Sequence, residues 1–392
     1  MNNYFSLPEI TDYKDKKINF IYYTEEESEN IIINKSLNSY LKLIKEQIDD
    51  KKDWDKFKRL TYIYEYISTR VKYNDKQICC YEPISRAFFK LYEIIYTYKL
   101  IEKNDNAIKS FHLAEGPGGF IECVAYYRKN KNDEYYGITL IDSKDKSIPN
   151  WDKCNKVMRK YNNIKILNGA SGDGDLLKLD NLKYINKYFN NTIDFVTGDG
   201  GIDYSENFNK QEQLTIKLII AQVIYALFIQ KEGGNFVLKI FDCFYENTIN
   251  ILYLLGIFYE NVKICKPDTS RTANSERYIV CKNFRRVLTN EEKEYIYNNY
   301  EKINTNNIKY IIEGSPRYNY ITKIEEINSI LGQQQLENIN LTLNNIFSIK
   351  DGNYDLYLKK NKEKINSIIK KNITKCIKWC TYYGFNFNNI NY

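Results

Sequence analysis

The sequence predicts an α/β protein built on an open, mostly parallel sheet, and three observations lead there. From about residue 85 to 285, apolar runs of strand length alternate with amphipathic segments of helix length, the pattern of strands joined by right-handed helical crossovers. The first strong strand, Phe111–Ala114, breaks into Gly116-Pro117-Gly118-Gly119 and restarts as an amphipathic helix through Phe120, Val124 and Tyr127. A strand, a glycine turn and a helix in that order are how such a sheet makes a ligand site, although a tight turn alone fits the same residues. The last two strands are joined by about ten residues without a helix, so they are expected to pair antiparallel at one edge.

Residues 1 to about 75 read as an N-terminal extension, polar and irregular at first. The charged run Glu25–Glu29 reads as a solvated loop, and helical periods follow in Leu37–Ile48 and Trp54–Val71. The α/β domain spans 76–285. Its first helix, SRAFFKLYEIIYTYKLI from Ser85, carries apolar residues at Phe88, Leu91, Ile95 and Leu100, with Lys90 among them. After the glycine turn, strands are expected at 135–141 (YYGITLI), Ile164–Leu167, 194–201 (DFVTGDGG) and 233–241 (GGNFVLKIF). Helices are expected at about Gln211–Gln230 and Thr248–Tyr259, and VKICK (262–266) and RYIVCK (277–282) close the series. Residues 286–392 read as a helical C-terminal extension with periods in Ile321–Leu331, Leu341–Ile349 and Ile365–Trp379.

The 392 residues are enough for one large domain with extensions. A net charge of +7 with 27% charged residues is compatible with a polyanionic partner without demanding one. The nine cysteines are scattered with no CxxC pair, and Cys376 and Cys380, four apart, suit one buried helix face. No zinc or other structural metal is therefore expected. The single histidine, His112, lies inside the first core strand, so histidine acid–base chemistry is set aside. The N-terminus has no basic-then-apolar signal and no run of about 18 apolar residues appears. A soluble intracellular protein with reduced thiols and no membrane partner is expected.

Four charged residues fall where this topology would gather them. Asp199 ends one strand and Lys239 lies late in the next. Glu276 immediately precedes the final antiparallel strand, whose start shares an edge with the carboxyl ends of the others, and Lys90 comes from the helix before the first strand. A lysine late in an apolar strand is costly to bury, unless its stem snorkels to solvent.

Five segments in order resemble the FtsJ (RrmJ-type) ribose 2′-O-methyltransferases across roughly residues 80 to 285: SRAFFKL, LAEGPGGF, DFVTGDGG, GGNFVLKIF and KPDTSRTANSERYIV. The resemblance implies a Rossmann-like, S-adenosylmethionine-dependent methyltransferase sheet with helical extensions on both sides. It implies a catalytic Lys-Asp-Lys-Glu tetrad at Lys90, Asp199, Lys239 and Glu276. It places the methyl donor, S-adenosylmethionine, against Gly116, Pro117, Gly118 and Gly119, with Asp175 of GDGDL as the adenine-side carboxylate. Many members carry an acidic residue for the donor ribose where this chain has Thr139; Asp142 lies close by. GDGD (172–175), DGG (199–201) and SRTANSERYIVCK (270–282) look closest to the cap-specific mRNA (nucleoside-2′-O-)-methyltransferases. The implied reaction is methyl transfer to the ribose 2′-hydroxyl of the first transcribed nucleotide of capped mRNA. A ribosomal RNA 2′-O-methyltransferase and a non-catalytic cap- or RNA-binding subunit are the alternatives. KCIKWCTYYGFNFN (375–388) is similar to the C-termini of related viral proteins. The setting that follows is the cytoplasm, in a viral factory or virion, or the nucleus, beside a capping or transcription machinery partner.

The chemistry fits these residues. Methyl transfer from a sulfonium expels a neutral thioether, so the difficulty lies in the hydroxyl nucleophile. Lysine is then the candidate base, with Lys239 as base or hydroxyl steerer and the other three as its field and geometry. RNA contacts are expected from Lys266, Arg271 and Arg277, close to Glu276, and from aromatic stacking. A methylated guanine cap, being cationic, suits an aromatic sandwich.

Overall fold

In the computed structural model, the described residues are 3–24, 27, 33–48, 51, 53–71, 75–142, 148–201, 208–348 and 359–390. Nearly all of the charged run Glu25–Glu29 lies outside them. The N-terminal part holds β1 (Tyr4–Ser6), β2 (Ile18–Tyr22), α1 (Lys35–Glu46) and α2 (Trp54–Thr61). The alternating series runs α3 (Ala87–Tyr98), β3 (Lys109–Leu113), α4 (Gly119–Arg128), β4 (Glu134–Ile138), α5 (Asn155–Lys160), β5 (Ile164–Leu167), α6 (Leu179–Phe189) and β6 (Ile193–Gly198). It continues through α7 (Gln211–Ile229), β7 (Gln230–Ile240), α8 (Glu246–Phe258), β8 (Tyr259–Cys265) and β9 (Arg277–Phe284). The C-terminal part adds α9 (Asn290–Thr305), β10 (Ile308–Ile312), α10 (Tyr318–Phe347) and α11 (Lys362–Tyr383).

The main sheet has eight strands in the order β1-β8-β9-β7-β6-β3-β4-β5. From β7 through β6, β3 and β4 to β5 every pairing is parallel. The expected antiparallel strand is present, but the pair it forms is not at the sheet edge. β9 inserts between β7 and β8, antiparallel to both, and β1 covers the outer side of β8. A ten-residue connection forces antiparallel pairing without deciding on which side the strand falls. Burial decides it: Tyr278, Ile279, Val280 and Cys281 are all buried, which suits an interior strand with neighbours on both sides.

Alternate side chains feed two cores. Phe236 and Leu238 face the layer of α6, α7 and α8, whereas Val237 faces the layer of α3, α4 and α11. α7 is long and apolar enough to cross a membrane by composition, yet 78% of that stretch is buried inside the protein. It is the core helix of one layer. Cys376 and Cys380 are both buried in the other.

The extensions close onto the domain. β10, which the purely helical reading of 286–392 lacked, pairs antiparallel with β2 in a second small sheet. The expected helical segment 321–331 and residues 341–347 of the second belong to one 30-residue helix, α10, while Ile349 lies outside the described residues. Register then sets the site. Gly198 is opposite Leu113 and Leu238, and Ile240 is opposite Arg277. The carboxyl ends of β3, β6 and β7 and the start of β9 therefore share one edge.

Candidate active site

β3 turns into α4 through residues 114–118. Ala114 (φ 51°) and Gly118 (φ 111°) both take left-handed backbone, easy for the glycine and costly for the alanine. A Cβ on Gly118 would sit 2.9 Å from Cys154 Sγ, and one on Gly116 would run into the Pro149 carbonyl oxygen. The loop is thus pressed against the protein's own 149–154 segment.

A glycine turn at a helix start leaves the first helical N–H groups open, but here two of them are taken. The Phe120 and Ile121 N–H groups donate to Glu115 Oε1 at 2.6 and 3.0 Å. Glu115 is only 2% exposed, and its Oε2 has no hydrogen-bond partner. Burial, reinforced by Asp199, pushes this carboxyl well above the usual range. Thr139, just past β4, is used inside the protein: its Oγ1 accepts from Gly116 N–H at 3.1 Å. Leu140, Ile141 and Asp142 beyond it are exposed. The Ile141 N–H donates to the Asp173 carbonyl at 2.7 Å, which docks the GDGD turn there. Asp175 is half-buried and accepts from Leu177 N–H at 2.9 Å through Oδ1.

Beside this loop the four expected charged residues form two ion pairs. Lys90 Nζ, from α3, lies 2.8 Å from Oε1 and 2.9 Å from Oε2 of Glu276. Ser270 Oγ donates to the same carboxylate at 2.8 Å. Lys239 Nζ, near the end of β7, donates to the Asp199 carbonyl at 2.7 Å and lies 3.2 Å from Asp199 Oδ1. Side-chain exposures of 18%, 12%, 14% and 19% for Lys90, Glu276, Lys239 and Asp199 leave all four reachable from solvent. Burial works to raise the Glu276 pKa, but the Lys90 and Lys239 ammoniums outweigh it and hold it down to about 2. For Asp199 burial wins over Lys239 and Lys90, and its pKa is raised.

The three expected RNA-binding residues divide. Arg271 is partly exposed and held in place, with Nη2 3.0 Å from Glu65 Oε1. Lys266 and Arg277 correct the expectation, because both lie inside the protein. Lys266 is 4% exposed and donates to the carbonyls of Asn274 and Glu276 at 2.6 and 2.7 Å. Burial pushes its pKa down to about 7. Arg277 is 2% exposed, pairs with Asp242 at 3.2 Å and donates to Asn328. The loop joining β8 to β9 needs internal donors for its carbonyls, and these two cations brace it and its end.

Sequence reasoning missed three buried carboxylates around this edge. Glu65 gathers Arg271 and, at 3.3 Å, Arg86. Glu93, one turn beyond Lys90, accepts from the N–H groups of Asp268 (2.6 Å) and Thr269 (3.2 Å), Tyr4 Oη (2.8 Å) and Trp379 Nε1 (3.3 Å). Glu115 is the third. The available signal was a carboxylate within an apolar stretch, as in Leu91-Tyr92-Glu93-Ile94-Ile95. His112 is structural: Nδ1 is 2.7 Å from Thr197 Oγ1, and burial lowers its pKa to about 3, so the ring stays neutral. Among the described residues no group of three or more His, Cys, Asp or Glu is placed to hold a metal.

A parallel sheet carrying one inserted antiparallel strand, with a glycine loop at the carboxyl edge of β3, has the architecture of the Rossmann-like methyltransferases. Residues 83–284, just over half of the chain, match the FtsJ-like methyltransferase family. The chain belongs to that family, whose methyl donor is S-adenosylmethionine. Among curated proteins it is similar to cap-specific mRNA (nucleoside-2′-O-)-methyltransferase 2 of Drosophila melanogaster, 29% identical over 242 residues, covering 56% of this chain and 32% of that protein. It is similar also to cap-specific mRNA (nucleoside-2′-O-)-methyltransferase 1 of Mus musculus, 34% identical over 193 residues, covering 47% of this chain and 23% of that protein. The same-named human protein is 35% identical over 176 residues, 43% of this chain and 21% of that one. The chain thus spans a third or less of the length of these relatives.

The residues at the edge suit the donor. An apolar pair, Leu140 and Ile141, is open to solvent just after Thr139, whose Oγ1 accepts from the glycine loop, and an apolar surface of this kind fits a nucleoside.

Proposed function

We propose that this chain methylates the ribose 2′-hydroxyl of the first transcribed nucleotide of capped mRNA. The observation that carries the proposal is the meeting of Lys90–Glu276 and Lys239–Asp199 beside the glycine loop. Gly116, Pro117, Gly118, Gly119 and Asp175 would hold S-adenosylmethionine, which supplies an electrophilic methyl and leaves as a neutral thioether. Asp199 fixes Lys239 through both its carboxylate and its carbonyl, so Nζ has one defined position at the mouth of β7. From there Lys239 steers the hydroxyl in line or takes its proton. The Lys90 ammonium, held by Glu276, adds positive field that favours an alkoxide-like oxygen on the substrate.

Arg271, with Arg86 beside it on the same carboxylate, is the cation set at this edge for RNA phosphates. The capped-mRNA reading is supported by the names of the relatives and by SRTANSERYIVCK preceding and opening β9; the choice of the first nucleotide rests on the resemblance alone. Its setting is where caps are made or completed, in the nucleus or a cytoplasmic viral factory, beside capping or transcription machinery. Radiolabelled methyl transfer to capped, uncapped and ribosomal transcripts tests this directly. Label is expected on the first ribose of capped RNA. Label on ribosomal RNA alone would replace the cap reading, and binding without label on any transcript would leave a non-catalytic subunit.

A further inference from the structure

Most of the surplus positive charge of this chain sits on one helix of the C-terminal extension. α11 carries six lysines and one glutamate, against a net charge of +7 for all 392 residues. Its apolar face is used in the core, where Ile365, Ile369, Ile373, Trp379 and Tyr383 are buried. Another face holds Lys364, Lys371, Lys375, Lys378 and Tyr382. At about 100° per residue these five fall on one stripe. All are exposed, Tyr382 at 66%, and among the described residues none of the four lysines forms an ion pair. A face kept only for solubility mixes both signs. Here like charges three and four residues apart repel, and Lys364, in the first turn, opposes the helix dipole. A polyanion lying along the stripe would relieve both costs.

The stripe passes the reaction edge and leads away from it. Burial raises the Asp268 pKa, and the Lys375 ammonium is among the groups that oppose the rise, which puts Lys375 beside the loop joining β8 to β9. Two residues further along that loop, Ser270 donates to Glu276. One turn beyond Lys375, Trp379 Nε1 donates to Glu93 at 3.3 Å, and Glu93 stands one turn from Lys90 on α3. Tyr382 then meets Tyr96, late in α3 and 38% exposed, with ring centroids 5.7 Å apart. α11 thus follows α3 from the edge towards its far end. At about 1.5 Å per residue, Lys364 to Tyr382 spans about 27 Å, enough for several nucleotides. We propose that this stripe binds the single-stranded RNA continuing beyond the nucleotide at Lys239, with the lysines on phosphates and Tyr382 under a base. The inference rests on the substrate being RNA, and it gives the extension, which lies outside the family match at 83–284, a part in holding it. A membrane surface suits the stripe poorly, because the apolar face of α11 is already buried.

Fluorescence anisotropy on the full chain tests it with two capped RNAs, one of about three nucleotides and one of about twenty. The combined variant Lys371→Ala, Lys375→Ala and Lys378→Ala should bind the long RNA about tenfold or more weakly and the short one within about twofold of wild type. Each single-strand phosphate contact contributes about 0.7 to the slope of log affinity against log salt, so that slope should become shallower by about 2. Tyr382→Ala should weaken the long RNA by about fivefold or more and leave the slope unchanged, because stacking releases no counterions. Equal loss for both RNAs would place these lysines at the reaction site and overturn the proposal. No loss, or a loss without a shallower slope, would leave a solvated face and overturn it too. Binding is read without turnover. A wild-type chain that holds the long RNA through this stripe yet methylates nothing would therefore overturn the proposed reaction and not this inference.

Discussion

Replacing Lys239 with methionine keeps the length of the side chain beside Tyr278 and deletes the ammonium. If the lysine steers or deprotonates the 2′-hydroxyl, the lost term is that of one positioned proton-transfer group, about 10²–10⁴ in rate, or about 2.7–5.5 kcal/mol of barrier. The stability cost is smaller. At 3.2 Å two unit charges in an effective dielectric near 20 attract by about 5 kcal/mol. The desolvation of both ions offsets most of that, and the Asp199 carbonyl also loses its 2.7 Å donor. A net loss of about 1–3 kcal/mol is expected, which lowers the melting temperature by several degrees. Donor affinity should stay within about threefold, since the ammonium faces the acceptor side. The assay is single-turnover transfer of labelled methyl to capped RNA at saturating donor, with calorimetry and a melting curve on the same preparation. Lys239→Arg should be equally slow, because a guanidinium keeps its proton. A Lys239→Met protein that keeps more than about a tenth of the wild-type single-turnover rate would refute the role.

Four further outcomes are expected. Gly118→Val puts a branched side chain at φ 111° with its Cβ 2.9 Å from Cys154 Sγ; it should cost about 1–3 kcal/mol in denaturant unfolding and weaken the donor. Asp175→Ala should cost about 0.5–1.5 kcal/mol in unfolding, because the Leu177 N–H loses its acceptor, and weaken S-adenosylmethionine by about tenfold in calorimetry; unaltered binding would place the adenine elsewhere. Glu276→Gln should destabilise the protein near neutrality but not in strong acid. The native carboxyl titrates at about 2 against an ordinary 4.5, so its stabilisation is present above 4.5 and disappears as pH falls towards 2, and acid-unfolding curves of the two proteins should converge there. A methylated guanine cap should raise kcat/KM at least about tenfold over the same RNA with a 5′-triphosphate, about 1.4 kcal/mol, which one aromatic–cation contact supplies. Equal rates would remove the cap from recognition.

Much of this architecture is legible in the order of residues because it is written in local patterns. Alternating strand and helix periods, a glycine break after an apolar run and a short helix-free connection specify the parallel sheet and its antiparallel strand within a few residues of one another. Asp199, Lys239 and Glu276 are visible as candidates because each stands at or near the end of such a pattern, whereas Lys90, inside a helical period, is singled out by the resemblance of SRAFFKL to the family's motif. Tertiary structure alone decided the rest. β1 is three residues long, too short for a period, and its partner β8 lies more than 250 residues away. The β2–β10 pair also joins opposite ends of the chain. Lys266 and Arg277 look like surface cations in sequence, because charge alone does not reveal which side of a loop it faces. In the fold they donate to Asn274, Glu276, Asp242 and Asn328. Glu65 and Glu93 show the converse, carboxylates whose burial is tolerable only because distant N–H groups and guanidiniums meet them. Periodicity is a property of neighbours in the chain, whereas the free energy of a buried charge depends on partners that only folding brings within hydrogen-bond distance.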